Sequence, residues 1–453
     1  MTKVKEILRF SFFILLGHLG QMAFNFSDLF VCSRYSSMAS GALSVANGIF
    51  ALALVAGLGL TIAISSLVSF HRSKSNQNVL PAEYLSTYFL VSALASILLI
   101  FLLLLSLFFI DQMNIDPKLI PGILSYLKIT ANSLLPAILF SCFKEFLQGH
   151  EKTFFPNALI IFFNLINFGL NWVLVNGLGP FPEMGVSGAA WATVICRWSM
   201  FIFLFLYMHV TFFKKKLTPK YFHFNRELGM ELLKMGLPLT GNILLEVGVF
   251  STTTILSSSF GVVSAASHGI VLNLISMAFM FPLSISSAAS VKIAYEKGQN
   301  NYSEAKKTIY ASLFLVTIMA SFLSILFIFY PERVVGLLTK DSEVITLGAK
   351  ILLIAGCFQI ADGFQVTTSG LLRGLGETRF PMYFYAINYW LIGLPLGTLL
   401  GIYHSGGVKG LWIGLMSAVY LMALTNGPYL YYFFHKAARI NGHNVTSPQS
   451  PNH

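Results

Sequence analysis

Charge is scarce in this sequence. Only 10% of its 453 residues are Asp, Glu, Lys or Arg, where a soluble domain carries about 25%. No polar segment exceeds about 20 residues, too short for an independent soluble core. Cysteine is rare too. Cys32, Cys142, Cys196 and Cys357 all lie in apolar segments and none forms a C-x-x-C. A disulfide framework and a zinc site are therefore not indicated, and packing is the expected role. There is no G-x-x-x-x-G-K-[ST] loop to hold ATP phosphates. No HxxxH or His/Asp/Cys cluster suggests a transition metal, and no nucleophile–base pair suggests an enzyme or a bound cofactor. Aromatic-interleaved basic patches of the nucleic-acid-binding kind are missing as well.

What is present is hydrophobic length. The chain is 55% hydrophobic with a mean hydropathy of +0.72, and apolar runs long enough to cross a bilayer as helices recur throughout. Twelve spans are expected, at 9–33, 43–70, 84–110, 122–146, 156–178, 186–211, 232–258, 264–292, 308–330, 346–372, 381–403 and 408–434. The basic head and apolar body of the first resemble a signal peptide. It has no A-x-A cleavage site and continues into further apolar sequence, so it reads as a retained span. The net charge of +11 follows from loops rather than from a nucleic-acid face. Of the 29 Lys and Arg, 21 sit at the two termini or at the loop ends after even-numbered spans. That asymmetry predicts cytoplasmic termini, in a multi-pass protein of the inner (plasma) membrane.

The chain repeats itself. Leu147, Gly149, Thr153, Phe155 and Pro156 match Leu372, Gly374, Thr378, Phe380 and Pro381 at one constant offset of 225 residues. Leu8-Arg9 and Leu233-Lys234 share that offset, and Gly185-Val-Ser-Gly188 resembles Gly407-Val-Lys-Gly410 at 222. The reading is an all-α integral membrane protein with twelve transmembrane helices in two six-helix lobes, related by a parallel pseudo-twofold repeat. The lobes are expected at 1–211 and 232–440, with a basic cytoplasmic linker over 212–231 and a disordered tail over 441–453. Two such halves usually belong to alternating-access transporters.

Three acids fall inside spans: Asp28, Glu246 and Asp362. A carboxylate at the centre of a spanning helix costs roughly 2.5–3.5 kcal/mol or more, so each is a functional-site candidate. In the first span His18, Gln21, Asn25 and Asp28 share a helical face, and in the fifth Asn164, Asn167 and Asn171 do so. Asn242, Glu246 and Thr253 form a stripe in the seventh span. Gln359 and Asp362 form another in the tenth, extended by Gln365 or Ser369. Such stripes line a cavity or bond to neighbouring helices, because hydrocarbon satisfies no polar group. Interhelical bonding accounts for any single Asn or Gln as well as a ligand role does. A carboxylate without a cationic partner favours its neutral form or a bound cation. The acids thus read as proton carriers or cation sites, Na+ being one occupant of Glu246, Asp362 or Asp28. Arg197 in span six is either an ion-pair partner or a helix-end residue. His18 and His268 read as hydrogen-bonded interior histidines.

These residues resemble a known family. NFSDLFVCSRYSSMASGALSVANGI around Asp28, MGLPLTGNILLEVGVF around Glu246, HGIVLNLISMAFMFPLSISSAASVKI and the turn Leu371–Pro381 look like a MATE (multidrug and toxin extrusion) transporter along nearly the whole chain. The pairing of Glu246 with Asp362 resembles the NorM-type subgroup, in which both acids serve the C-terminal lobe's cation site. Asp28 matches the first-span acid of the N-terminal lobe. The resemblance places Asn167, Asn171 and Thr193 beside it, and Asn171, where a DinF-type chain has Asp, again favours NorM. The tyrosine of the NorM-type pattern one helical turn before the span-ten acid is Phe358 here, which removes a hydroxyl. The resemblance implies export of cationic, amphipathic small molecules in exchange for sodium ions or protons; a monomer embedded in lipid is the default expectation. Two other readings stay open. A lipid-linked oligosaccharide flippase needs a basic cavity, with Arg197 its sole mid-span candidate. A non-transporting membrane scaffold predicts no effect from neutralising the three acids.

Overall fold

The computed structural model describes residues 2–75, 80–112, 115–213 and 223–443, without the side chains of Asn25, Asp111 and 440–443. Lys214, Lys215, Lys216 and Lys220 of the expected linker therefore lie outside the described residues, as do 444–453 of the expected tail.

The described residues form helices and no strands. In chain order they are α1 (Thr2–Tyr35), α2 (Ser37–Ser75), α3 (Ala82–Ser106), α4 (Ile120–Ala131), α5 (Leu134–Gly149), α6 (Phe154–Asn176), α7 (Val186–Tyr207), α8 (Arg226–Ser258), α9 (Val262–Gly298), α10 (Tyr302–Phe329), the short α11 (Pro331–Gly336), α12 (Ser342–Gly374), α13 (Arg379–Tyr385), α14 (Leu394–Thr398) and α15 (Gly407–His443). Among the described residues eleven stretches are long and apolar enough to cross a membrane. A twelfth is made by α4 and α5, which are bent by 44° at Asn132-Ser133. The spans match those read from hydropathy, and the helices overrun them by several residues at the polar ends. The eleventh span is α13 and α14 with wider π-type turns at Ala386–Gly393 and Leu399–Tyr403, a geometry common at functional sites. α15 runs on to His443.

Contacts divide the chain into two compact units. One is Phe13–Val68 with Gln77–Leu244. The other is Leu245–His453 with Met1–Phe12 and Ser69–Asn76. The division falls inside α8, between Leu244 and Leu245. Local bonds tie the ends of α1 and α2 to the second unit. Lys3 Nζ lies 2.7 Å from Glu296 and 3.3 Å from Glu304, Glu6 pairs with Lys292, and Ser69 Oγ donates to the Val291 carbonyl at 2.7 Å.

The internal repeat recurs in the packing of each unit. In the first, a Cβ on Gly149 of α5 would lie 2.7 Å from the Ser65 carbonyl of α2 and 2.6 Å from Val68. In the second, a Cβ on Gly374 of α12 would lie 2.5 Å from the Ser290 carbonyl of α9 and 2.9 Å from Ile293. Ser65 and Ser290, Val68 and Ile293, and Gly149 and Gly374 are each 225 apart. Thr61 bonds to Ser141 in one unit and Ser286 to the Val366 carbonyl in the other, again at that offset. Duplicated sequence has thus kept a duplicated helix contact, and glycine is what lets the backbones approach.

A second close approach holds the eleventh span. Gly393 and Gly397 face Gly414, Gly401 faces Gly407 and Gly410, and a Cβ on Gly414 would lie 2.4 Å from the Gly393 carbonyl. We expect Gly414→Val to lower the yield of folded protein severalfold, read by fluorescence-detected size exclusion, because overpacking typically costs about 1–3 kcal/mol.

Candidate functional site

In the Phe13–Leu244 unit, four helices converge on Asp28. Its position on α1 is buried, at 3% exposure. Asn171 of α6 donates from Nδ2 to Oδ1 at 2.6 Å, and Thr193 of α7 donates from Oγ1 to Oδ2 at 2.8 Å. Asn171 also bonds to Asn167 Oδ1 at 3.1 Å, one helical turn away, and to Ser27 at 3.3 Å. The structure therefore brings together Asp28, Asn167, Asn171 and Thr193, the four residues expected in this half. It adds Tyr126 of α4, whose hydroxyl lies 3.5 Å from Oδ2 and donates to Asn47 of α2 at 3.0 Å. No periodicity marks Tyr126 in the sequence. Its role follows only from the meeting of α4 with α1.

Arg197 settles between its two readings. The guanidinium donates to Ser133 at 2.8 Å, in the break between α4 and α5, and stacks over Phe50 at 4.9 Å. Its charge reaches Asp28 through space, but among the described residues they form no ion pair within 4 Å. Asp28 is thus held by neutral donors, with a cation nearby but not touching. The Oδ1 of Asn171 is buried and has no partner among the described residues, which leaves an oxygen acceptor beside the carboxylate.

In the other unit Glu246 of α8 and Asp362 of α12 lie close enough for their charges to repel. Asp362 is buried at 7% exposure, and Glu246 is half-buried. Among the described residues neither has a Lys, Arg or His within ion-pair distance. Gln365 donates from Nε2 to Asp362 Oδ1 at 3.2 Å and accepts at Oε1 from the Tyr385 hydroxyl at 2.9 Å. Tyr385 stacks on Tyr389 with ring centroids 5.5 Å apart. Beside Glu246, Trp390 donates to the Leu245 carbonyl at 3.0 Å, and Gly248 gives the indole room. The polar stripe on α12 points to Gln365. Tyr385 and Tyr389 carry no such mark in the sequence, although their spacing of four puts both on one face.

α12 carries this site because it packs against α9, α10 and α15 together. Gly356 and Gly363 on its α10 side take Phe327, Ile328, Val316 and Ala320, which turns Asp362 away from that contact. Phe358 is buried and lies parallel to Trp412 at 6.4 Å. Trp412 in turn donates to His268 Nδ1 at 3.2 Å. His268 Nε2 bonds to Thr254 at 2.9 Å, so this histidine is a satisfied interior one. Gln359, one turn before Asp362, is fully buried with both amide atoms unpartnered among the described residues. Both sites offer oxygen donors only, the ligand type of hard cations, and no group of three or more His, Cys, Asp or Glu stands ready for a metal among the described residues. In the first site, replacing Thr193 by Val removes a bond to a buried carboxylate. We expect a loss of about 1.5–3 kcal/mol in stability, measured as a lower unfolding midpoint, with Thr193→Ser restoring it.

Up to twelve apolar spans among the described residues, a helix contact repeated in both units, and buried carboxylates with no basic partner among those residues point to a polytopic membrane transporter. The sequence comparison is specific. The MatE family model matches residues 14–173 and 238–399, one segment in each half, and the chain belongs to that family. It is 29% identical to the multidrug resistance protein NorM of Photobacterium profundum, over 93% of this chain and 94% of that protein. To the multidrug resistance protein MdtK of Yersinia pseudotuberculosis serotype O:1b it is 28% identical, over 94% and 95%. The fold is similar to that of the eukaryotic MATE transporter AtDTX14, with a TM-score of 0.84 at 19% identity, covering 97% of this chain and 98% of that one. It is also similar to a MOP superfamily transporter from Pyrococcus furiosus, with a TM-score of 0.82 at 17% identity, covering 96% of each. The family is one of transporters, not enzymes.

Proposed function

We propose that this protein is a secondary active multidrug efflux transporter that exports cationic amphipathic compounds in exchange for sodium ions or protons by alternating access. The observation that carries the proposal is the Glu246–Asp362 pair, two carboxylates in an apolar helix assembly with no basic partner among the described residues. Such a pair attracts an organic cation, a sodium ion or a proton, and these compete. Coupling needs a difference in ion affinity between conformations, and competition for the same carboxylates supplies it. The Asp28 site, with Asn167, Asn171 and Thr193, is a second polar site for a proton or sodium. The relatives' names as multidrug resistance proteins support the substrate class. An anionic lipid-linked substrate is disfavoured, since Arg197 is taken up by Ser133 and Phe50.

We place the protein in the inner (plasma) membrane as a monomer, with both termini cytoplasmic. A C-terminal reporter active only outside the cytoplasm would contradict that orientation by lighting up. The function is tested by expressing the protein in bacteria stripped of their own efflux pumps. Less accumulation of a fluorescent organic cation than in the empty-vector strain is the expected result. Equal accumulation refutes the proposal.

A further inference from the structure

The first turns of α1 and α10 enclose an open groove of about 660 Å³ that neither carboxylate site uses. Small-molecule sites have volumes of about 300–1,000 Å³. The groove lies wholly within one of the two units, because Met1–Phe12 cluster with Leu245–His453. One end is charged, with Lys3 and Glu6 from α1 and Glu304 and Lys307 from α10. The other end is apolar. Tyr310 and Phe314 are exposed there, at 64% and 57%, with the small Ala311 between them in sequence. Lys307, Ala311 and Phe314 are four and three residues apart, so α10 presents them on one face. The change from charged to apolar falls where hydropathy starts the spans, at 9 in α1 and 308 in α10. The charged end therefore belongs at the membrane surface and the aromatic end in the hydrocarbon, with Tyr310 at the boundary where tyrosine is favoured.

We propose that this groove binds a phospholipid whose headgroup carries both a phosphate and a primary ammonium, an ethanolamine phospholipid of the leaflet that meets the start of α1. Two lysines and two glutamates leave the groove with no net charge but with separated charges of both signs. A purely anionic headgroup is drawn by the lysines and opposed by the glutamates. A quaternary ammonium brings no N–H to a carboxylate. An ethanolamine headgroup answers both signs with charge-assisted hydrogen bonds. The capacity is there. An ammonium has three donors, and among the described residues Lys307 spends one, on Glu304 at 2.7 Å, with its side chain 62% exposed. Glu6 meets Lys292 through Oε1, and its Oε2 lies 3.8 Å from Lys3, beyond hydrogen-bond reach. Phosphate oxygens thus accept from Lys307, the ammonium donates to Glu6, and an acyl chain lies along Ala311 between the two rings. Lys3 is held in the floor by Glu296 and Glu304 and fixes the width. The proposal stands apart from the transport reading, since binding is measured with no gradient.

The test is native mass spectrometry of the purified full chain in detergent, titrated with phosphatidylethanolamine, phosphatidylcholine and phosphatidylglycerol of one acyl composition. The expected result is one ethanolamine lipid held about tenfold more tightly than either of the others, the scale of a charge-assisted hydrogen bond. Glu6→Gln removes the partner of the ammonium and brings ethanolamine down to the level of choline. Lys307→Gln removes the partner of the phosphate and weakens ethanolamine binding by about the same factor. Equal binding of the three lipids to the wild type marks an ordinary lipid shell and overturns the proposal. Tighter binding of the anionic lipid overturns it too, in favour of a plain basic patch. So does a preference for ethanolamine that survives Glu6→Gln. Should Glu6→Gln not assemble, because Lys292 loses a partner, Lys307→Gln decides alone. Its ion pair is on the surface and costs folding little, and unchanged ethanolamine binding there overturns the site. Displacement of the lipid by soluble phosphoethanolamine at equal concentration removes the acyl chain from the account and overturns it as a lipid site.

Discussion

Replacing Asp362 by asparagine, or Glu246 by glutamine, reduces ion-driven efflux by about a hundredfold while folded protein stays in the membrane. The size follows from the loss of one charged contact to the cation, about 1.5–3 kcal/mol. Folding is spared because the amide has nearly the same shape and ends the cost of a buried charge. Among the described residues Asp362 bonds to Gln365 alone, and no Lys, Arg or His there loses an ion-pair partner when the charge goes. Unfolding midpoints at or above the wild-type value are therefore expected beside the transport loss. Each substitution also removes the repulsion felt by the other acid, so the double variant loses little more than either single one. Full resistance to cationic drugs in cells expressing either variant would contradict the assignment. A collapse of both transport and stability would instead make the pair structural.

The second large effect lies in the packing. Gly374→Leu sets a branched side chain against the Ser290 carbonyl, where even a Cβ would lie at 2.5 Å. Neither the backbone of α9 nor Ile293 has room to give, so α12 must leave α9, and little folded protein is expected in detergent extracts. Gly149→Leu at the equivalent place in the other unit is expected to behave alike, because Ser65 and Val68 stand where Ser290 and Ile293 do. Normal yield and retention volume for either variant would contradict the close approach.

The repeat and the sites make different patterns, and this explains what the sequence disclosed. Spans, helix order and duplication follow from hydropathy and from a turn quoted twice, since both are local properties of the chain. The acids break the repeat. At an offset of 225, Asp28 corresponds to Thr253, Glu246 to Gln21 and Asp362 to Ala137. Function sits where the two halves differ, and a carboxylate in an apolar run is visible without any structure. Asn167, Asn171 and Thr193 are legible through spacing and family likeness, and they meet on Asp28. Tyr126 and Tyr385 are not, because a tyrosine in a span is usually unremarkable and becomes a donor only when another helix brings an acceptor to it. The bond from Lys3 to Glu296 joins residues 293 apart, and no local pattern announces that the ends of α1 and α2 cluster with the second half. Arg197 has two readings in the sequence, and only the break between α4 and α5 shows which group its guanidinium meets.

The central claim is that these carboxylates couple an ion to drug export. Its most direct test is transport of a fluorescent organic cation by purified protein in proteoliposomes, with a sodium gradient and a pH gradient imposed separately. The expected result is dye movement under at least one gradient, lost in Asp362→Asn. Movement under sodium alone assigns the ion to Glu246 and Asp362, and movement under pH alone shifts the weight to Asp28. No movement under either gradient, or movement undiminished in Asp362→Asn, would contradict the account.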